Sequence, residues 1–198
     1  MRSRDGSPPS DRTPGSTPWD GDAYQRRFDD LAAAGTDVHG EATLVLSFGP
    51  RSVLDAGCGS GRVAAELSRH GVEVVGIDRD ASMIATARRT APGVDFRIGD
   101  VADADLGRTF DLVVMAGNVP LFTPEGTQGA LVSGCARHLG PGGRLVVGFQ
   151  LGRGYSLEEF DADCEAAGLE PAARWATWDG SPYGRGAEYA VSLHRRPD

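Results

Sequence analysis

From residue 50 onward, short apolar runs alternate with stretches whose apolar positions recur at helical spacing. SVLDAG (52–57) and EVVGID (73–78) predict strands, and RVAAELSRHG between them predicts a helix that ends at Gly71. The same reading predicts a helix over ASMIATARR behind the N-cap Asp80, strands over VDFRIGD and FDLVVMAG, a helix over EGTQGALVSGCARHLG and a strand over GRLVVGFQ. Regular alternation of strand and helix indicates an α/β protein with a doubly wound, mostly parallel sheet.

The two ends of the chain depart from this alternation. Near the start, WDGDAYQRRFDDLAAAG places Tyr24, Phe28 and Leu31 on one face of an amphipathic helix. Near the end, SLEEFDADCEAAG begins with a capping box formed by Ser156 and Glu159. The stretches LEPAARWATW and EYAVSLHRR follow it and flank a turn rich in Gly and Pro. We expect them to form a C-terminal antiparallel hairpin that brings the sheet to seven strands.

The domain organisation follows from length and local composition. A chain of 198 residues accommodates one α/β domain of ordinary size. Residues 1–18 contain almost no large apolar side chain and are rich in Ser, Pro, Asp and Arg, which predicts a disordered N-terminal tail. We therefore expect a single domain over residues 19–198, in which residues 19–50 form a helical lid in front of the first strand.

Composition removes several classes of function. Twenty basic residues against 28 acidic ones give a net charge of -8, which disfavours a nucleic-acid partner. No segment approaches the length of about 20 apolar residues that a membrane helix needs, and the N-terminus lacks the apolar core of a signal peptide. Three cysteines, Cys58, Cys135 and Cys164, stand at wide spacings without a CxxC pair. We expect a cytoplasmic, reduced protein with no metal and no membrane partner.

The loop after the first predicted strand carries the main chemical signal. Gly57, Gly59 and Gly61 follow Asp55 at spacings of two residues, and such bare backbone allows close approach by a ligand. Asp78 ends the second strand, where a carboxylate can accept both hydroxyls of a ribose. A pyrophosphate loop has its third glycine three residues after the second, but Arg62 stands at that position. The pattern therefore favours a nucleoside-containing cofactor without a pyrophosphate.

With these motifs in place, residues 53 to 150 resemble the class I S-adenosylmethionine-dependent methyltransferases, which have a Rossmann-like fold. Asp55-Ala-Gly57-Cys-Gly59-Ser-Gly61 is similar to the family's first motif, whose loop contacts the methionine end of the cofactor. The turn LGPGGRLVV resembles the family's entry into its fifth strand. The resemblance implies S-adenosyl-L-methionine as the cofactor.

Further residues of this sequence match positions that have defined cofactor-binding roles in the family. Asp78 matches the ribose-binding acid, Met83 the apolar residue packed on the adenine, and Asp100 with Val101 the pair that recognises the adenine edge. Ala116-Gly117-Asn118 follows the fourth strand as in the family. For the lid helix, we predict that Tyr24 reaches the methionine end of the cofactor and that Phe28 packs beneath it.

Candidates for catalysis are fewer, because a sulfonium methyl group is already electrophilic and mainly requires an aligned nucleophile. Asn118, Gln150 and Tyr155 lie just beyond strand ends and are predicted to orient a substrate, while His39 or Glu41 is predicted to serve as a base. His70, His138 and His194 are predicted to be structural.

The sequence therefore predicts methyl transfer to a small-molecule acceptor, by oxygen, nitrogen or carbon attack, in a monomer or homodimer. Two alternatives remain at this stage. A non-catalytic S-adenosylmethionine-binding sensor or partner subunit would keep the same cofactor motifs. An NAD-linked oxidoreductase would share the fold and the acid after the second strand, but it should carry the pyrophosphate spacing.

Overall fold

A seven-stranded sheet with helices on both faces makes up the computed structural model, which describes residues 19–198. The predicted tail, residues 1–18, lies outside the described residues, and its disorder stays a prediction. The strands are β1 (Ser52–Ala56), β2 (Glu73–Asp78), β3 (Asp95–Ile98), β4 (Phe110–Met115), β5 (Leu139–Gln150), β6 (Glu170–Trp175) and β7 (Tyr189–Arg195).

The sheet has the order β3-β2-β1-β4-β5-β7-β6. Strands β1 to β5 pair in parallel, whereas β7 pairs antiparallel with both β5 and β6. The predicted doubly wound sheet and its antiparallel C-terminal hairpin are confirmed. The strand order reverses between β1 and β4, and in open α/β sheets this switch point opens a crevice at the carboxyl ends of the strands.

Six α-helices and one 3-10 helix accompany the strands in residues 19–198, and two of the α-helices precede β1. They are α1 (Gly21–Ala33), α2 (Gly40–Ser47), α3 (Arg62–Arg69), α4 (Ala81–Thr90), the 3-10 helix Val119–Phe122, α5 (Gln128–Arg137) and α6 (Leu157–Ala166). Side chains cap three of them: Asp20 caps α1, Asp80 caps α4, and Ser156 with Glu159 forms the predicted capping box of α6.

Both faces of the sheet are covered, and this explains the unbroken apolar runs of the central strands. Along β1, Val53 packs against α2, α3 and α4, whereas Leu54 points to the opposite face, toward α5 and α6. Helix α1 packs on α4 rather than on the sheet, and at their contact a side chain at Gly21 would lie 2.6 Å from the carbonyl oxygen of Ser82.

Two features of the fold were not evident from the sequence pattern. Helix α2 has apolar residues on more than one side, so it shows no clear amphipathic period, and it is fixed by tertiary burial of Ala42 and Val45. Strand β5 begins at Leu139, the first residue of the predicted turn LGPGG, because Leu139 pairs with Phe110 ahead of a register shift whose extra residues lie in β5 before Arg144. Such shifts depend on the neighbouring strand and carry little local sequence signal.

Candidate functional site

A cavity of about 300 Å³ lies at the carboxyl ends of β1, β2 and β4, at the switch point of the sheet. Its size is that of a site for one small molecule. Nine of the residues predicted to bind a cofactor line it: Tyr24, Asp55, Gly57, Gly59, Asp78, Met83, Asp100, Val101 and Ala116. The structure does not bring Gly61, Asn118, His39 or Glu41 to the cavity wall.

The three glycines of the loop after β1 have different surroundings. All three have positive φ angles, which favour glycine. A Cβ at Gly59 would enter the cavity, 3.7 Å from Tyr24 Cε1 and 4.0 Å from Met83 Sδ. A Cβ at Gly61 would instead lie 2.6 Å from the Phe96 ring, so this glycine allows close packing of the loop on β3. Gly59 therefore forms part of the cavity wall, whereas Gly61 is required for packing against β3.

Asp78 ends β2 with its carboxylate facing the cavity. The backbone N–H groups of Gly59 and Asp80 each donate to one of its oxygens, both at 2.9 Å. Burial raises the pKa of Asp78, and these two hydrogen bonds oppose the rise. Each oxygen has a second acceptor position, so the carboxylate can receive two further donors from a ligand.

Asp55 is a fully buried carboxyl group at the end of β1. The backbone N–H of Ala64 donates to its Oδ2 at 3.1 Å. Burial raises the pKa of Asp55 to about 7, although the nearby positive charge of Arg62 acts in the opposite direction. A carboxyl group with this pKa is sensitive to a positive charge placed in the cavity, because such a charge favours the ionised form.

The segment around Asp100 closes the end of the cavity nearest β3. Met83 and Val101 are buried and present apolar surface there. The Asp100 side chain accepts from the backbone N–H of Ala102 at 3.0 Å, and Arg79 Nη1 lies 3.4 Å from its Oδ2. Arg79 was not singled out from the sequence, although it directly follows Asp78.

Tyr24 of α1 lies across the top of the cavity. Its ring faces Gly59, and its hydroxyl oxygen is 3.9 Å from the position that a Cβ of Gly117 would take. Burial raises the pKa of Tyr24, and the positive charge of Arg62 opposes the rise. Helix α1 is held near the loop by Ser60, whose hydroxyl donates to Gln25 Oε1 at 2.7 Å.

Arg62, at the start of α3, was considered in the sequence only as a departure from the pyrophosphate loop. In the structure it lines the cavity and stacks on Phe28, with its Cζ 4.5 Å from the ring centroid. Its guanidinium also donates to the carbonyl oxygen of Val38 and to both carboxylate oxygens of Glu41. Arg62 thus connects α1, α2 and α3 behind the loop, and Glu41 is its counter-ion.

The side chains of the remaining catalytic candidates do not line the cavity. His39 precedes α2, and its Nδ1 is 3.7 Å from a carboxylate oxygen of Glu66. The buried Asn118 has the left-handed backbone conformation, and its Oδ1 accepts from the backbone N–H of Gln150 at 2.8 Å. Tyr155 is buried and donates to Asp163. Their predicted roles in catalysis stay predictions.

Two aromatic residues of the cavity wall were missed as site residues, Trp19 and Phe122. Their ring centroids lie 5.7 Å apart in an edge-to-face contact. Phe122 stands in the segment NVPLF after β4, and that position was the only sequence signal for it. Trp19 carried no signal at all, because its position depends on the packing of α1 against α4.

Three groups of residues could carry other chemistry within residues 19–198: metal ligands, thiols and apolar helices. In this range no group of three His, Cys, Asp or Glu side chains is arranged to hold a metal ion. Burial raises the pKa of the Cys58 thiol well above its usual value, so no thiolate forms in the glycine loop. None of the helices described is both long and apolar enough to span a bilayer.

Comparisons with known proteins agree with this geometry. The profile of a methyltransferase domain family matches residues 53–143. The chain is 35% identical over 127 residues to a dTDP-3-amino-3,4,6-trideoxy-alpha-D-glucopyranose N,N-dimethyltransferase of Streptomyces venezuelae, a match to 63% of this chain and 52% of that protein. It is 36% identical over 99 residues to a ubiquinone biosynthesis O-methyltransferase of Bradyrhizobium sp., covering 48% of this chain and 38% of that protein. The chain thus spans about half or less of the length of these curated relatives.

Among solved structures, the fold is similar to that of a TehB-like SAM-dependent methyltransferase from Corynebacterium glutamicum. The TM-score is 0.84 at 37% sequence identity, over 90% of this chain and 98% of the other. Identity at this level over nearly the whole of both chains shows common family membership as well as a common fold. The chain belongs to the class I S-adenosylmethionine-dependent methyltransferases.

Proposed function

We propose that this protein transfers a methyl group from S-adenosyl-L-methionine to a small-molecule acceptor. The observation that carries the proposal is the position of the Asp78 carboxylate in the cavity wall beside the glycine loop, where the backbone N–H of Gly59 donates to it. A nucleoside with two ribose hydroxyls matches the two free acceptor positions of Asp78.

The residues of the cavity fit this cofactor along its whole length. The apolar side chains of Met83 and Val101, next to Asp100, suit an adenine ring, and Asp78 suits the ribose. The loop from Gly57 to Gly59, with Asp55 beneath it, suits a charged amino-acid end. When bound, the cofactor supplies a methyl group on a positively charged sulfur, which is already electrophilic.

The chain's own contribution would be positioning and exclusion of water. Tyr24 covers the cavity and places its hydroxyl near Gly117, beyond the end of β4. Asn118 fixes the backbone there, since its side chain joins the ends of β4 and β5 through the N–H of Gln150. We propose that this rigid floor aligns the acceptor. Neither His39 nor Glu41 lines the cavity, and Glu41 is the counter-ion of Arg62; the prediction that one of them serves as a base is tested by the pH–rate profiles of variants at both positions.

The class of acceptor is supported by two observations. The cavity is enclosed by short connections, and only residues 151–155 separate β5 from the N-cap of α6, which leaves no room for an inserted substrate domain. The relatives named above act, by their names, on an amino sugar nucleotide and on an intermediate of ubiquinone biosynthesis. We therefore propose a small metabolite as the acceptor, methylated on nitrogen or oxygen.

The proposal is tested by two measurements on the full chain. Calorimetry should show binding of S-adenosylmethionine and S-adenosylhomocysteine but not of NAD. A screen of small amines, phenols, carboxylic acids and amino sugars should then show release of S-adenosylhomocysteine with at least one acceptor. Binding without turnover across the whole panel would favour the alternative of a non-catalytic sensor or partner subunit, and tight NAD binding alone would overturn the proposal.

A further inference from the structure

A chain of four aromatic rings forms a roof; three of them, Tyr24, Trp19 and Phe122, line the cavity, and Phe28 packs behind Tyr24. Successive ring centroids are 5.2 Å apart from Phe28 to Tyr24, 5.8 Å from Tyr24 to Trp19 and 5.7 Å from Trp19 to Phe122. At one end of this roof, Phe28 stacks on Arg62 of α3. At the other end, Phe122 belongs to the opposite wall, after β4. The roof therefore closes over the cavity where Trp19 meets Phe122.

The neighbours of this contact place it over the nucleoside end of the cavity. The backbone N–H of Trp19 donates to Asp80 Oδ2 at 3.2 Å. The carbonyl oxygen of Phe122 accepts from Arg79 at 3.2 Å, and Arg79 also pairs with Asp100. These anchors flank Asp78 and include Asp100, the acids assigned above to the ribose and the adenine edge.

The Trp19 side of the contact is firmly attached. Besides the bond from Trp19, the N–H of Gly21 donates to Ser82 Oγ at 3.0 Å, and Thr86 donates to Asp22 at 2.6 Å. No side chain separates Gly21 from α4, so the two helices touch backbone to backbone. Moving α1 off the cavity would break all of these contacts at once.

The Phe122 side is attached more loosely. We call residues 121–127, which include the last two residues of the 3-10 helix, the β4–α5 loop; it lies between the buried residues Pro120 and Gln128, and its own residues are half-buried or exposed, with Leu121 packed on the core. Gly126 within it has a φ of 80°, a conformation that other residues rarely adopt. Arg79, which holds the carbonyl of Phe122, has a half-exposed side chain, so water can replace this bond.

We propose that Phe122 is a positioning residue that holds the cofactor's nucleoside against Asp78 and Asp100, and that the β4–α5 loop, rather than α1, opens for cofactor exchange. The inference rests on the proposed function. We assign the opening movement to the β4–α5 loop because the edge-to-face contact between Trp19 and Phe122 is weaker than the set of hydrogen bonds that attach α1 to α4. Helix α1 then serves as a fixed roof.

The first test measures how fast labelled S-adenosylhomocysteine leaves the full chain in a chase experiment. Phe122→Ala should raise the dissociation rate by about tenfold, the loss expected for one aromatic pair and its buried surface. Phe122→Tyr, which keeps the ring, should restore the wild-type rate. Phe48→Ala is the matched control, because Phe48 also packs on a tryptophan, Trp175, but away from the cavity. Equal dissociation rates for Phe122→Ala and Phe48→Ala would overturn the proposal.

The second test identifies the moving wall by hydrogen exchange. The amides of Leu121 and Thr127, bonded to Asn118 and Pro124, should exchange faster in the free protein than the amide of Tyr24, bonded to Asp20, and S-adenosylhomocysteine should slow the first two most. A larger effect at Tyr24 would show that α1 moves instead. Binding of the ligand to the wild-type chain tests the proposed function separately, so in a protein that binds, either contrary result overturns only the loop assignment.

Discussion

Arg62 and Glu41 form a two-pronged ion pair, with Nη1 2.9 Å from Oε2 and Nη2 2.5 Å from Oε1. The side chains are only 13% and 17% exposed, so the charges depend on each other rather than on water. Because Arg62 also stacks on Phe28, the pair links α2 to the helix that carries Tyr24. Its geometry makes Glu41 a residue that positions Arg62.

Replacing Glu41 by Gln should therefore reduce stability and leave the chemistry intact. A nearly buried arginine without its counter-ion should lower the free energy of unfolding by about 2 to 3 kcal/mol, measured with urea. Glu73→Gln is the control, since its pair with Arg108 is at the surface, where water and salt screen it, and this variant should change the free energy of unfolding much less. If Glu41 were instead the base, the variant would stay stable, lose turnover and lose the acidic limb of its pH–rate profile.

Asp78→Asn should sharply weaken cofactor binding. Two hydrogen bonds from ribose hydroxyls to a charged acceptor contribute roughly 1.5 kcal/mol or more each, so the dissociation constant for S-adenosylmethionine should rise about 100-fold. Calorimetry measures it, with circular dichroism to confirm folding. Asp95→Asn, which changes an exposed carboxylate of β3 that is paired with Arg97, should have no effect. An unchanged dissociation constant in the folded Asp78→Asn variant would show that Asp78 does not bind the ribose.

Cofactor affinity should increase with pH around neutrality because of Asp55. In the free protein its pKa is about 7, raised by burial, so the carboxyl group is protonated below that pH. A ligand with a positively charged amino group favours the ionised form, and ionising Asp55 costs about 1.36 kcal/mol for each pH unit below its pKa. The dissociation constant should thus rise by up to about tenfold per unit from pH 7 to pH 6. Asp55→Asn should make the dissociation constant nearly independent of pH in this range. An equal pH dependence in the variant and the wild type would contradict the prediction.

Acid should destabilise the free protein through His194. This buried ring lies edge-to-face on Phe160, with centroids 5.2 Å apart. Burial lowers the pKa of His194, and Asp161 opposes the shift. A histidine with a lowered pKa in the folded state contributes stability above its ordinary pKa of about 6.5, and this is lost as the pH falls. Urea unfolding at pH 7.5 and 5.5 should show a smaller loss for His194→Phe than for wild type, whereas His70→Phe, at the exposed end of α3, should behave as wild type.

Two truncations test the roof helix. Removing residues 1–18 should leave the affinity for S-adenosylmethionine unchanged, because the composition of this segment predicts a disordered tail. Removing residues 1–35 deletes Tyr24 and Phe28, and it should weaken binding and abolish turnover, since these rings exclude water from the cavity. Equal affinities in the two folded truncations would show that α1 is packing only.

The sequence by itself determined most of the elements and the cofactor class. The alternation of β-branched runs and helical stretches predicted the parallel strands, because strands buried on both faces must be continuously apolar. The glycine spacing after Asp55 and the acid Asp78 located the cavity, because in a sheet of this kind the carboxyl ends of neighbouring parallel strands meet at one edge. Local sequence patterns were sufficient to predict those features in which the backbone conformation or the position at a strand end requires a particular residue type.

Only the tertiary structure decided which side chains face the cavity and which face each other. Gly59 borders the cavity while Gly61 packs on Phe96, a difference set by the strand beside the loop. The sequence predicts Glu41 as a candidate base, and only the structure shows that its carboxylate is paired with Arg62, a residue 21 positions away. Trp19 and Phe122 meet across more than 100 residues of chain. Such contacts arise from the packing of elements that are distant in the sequence, and no local pattern records them, because each side chain alone is compatible with many neighbours.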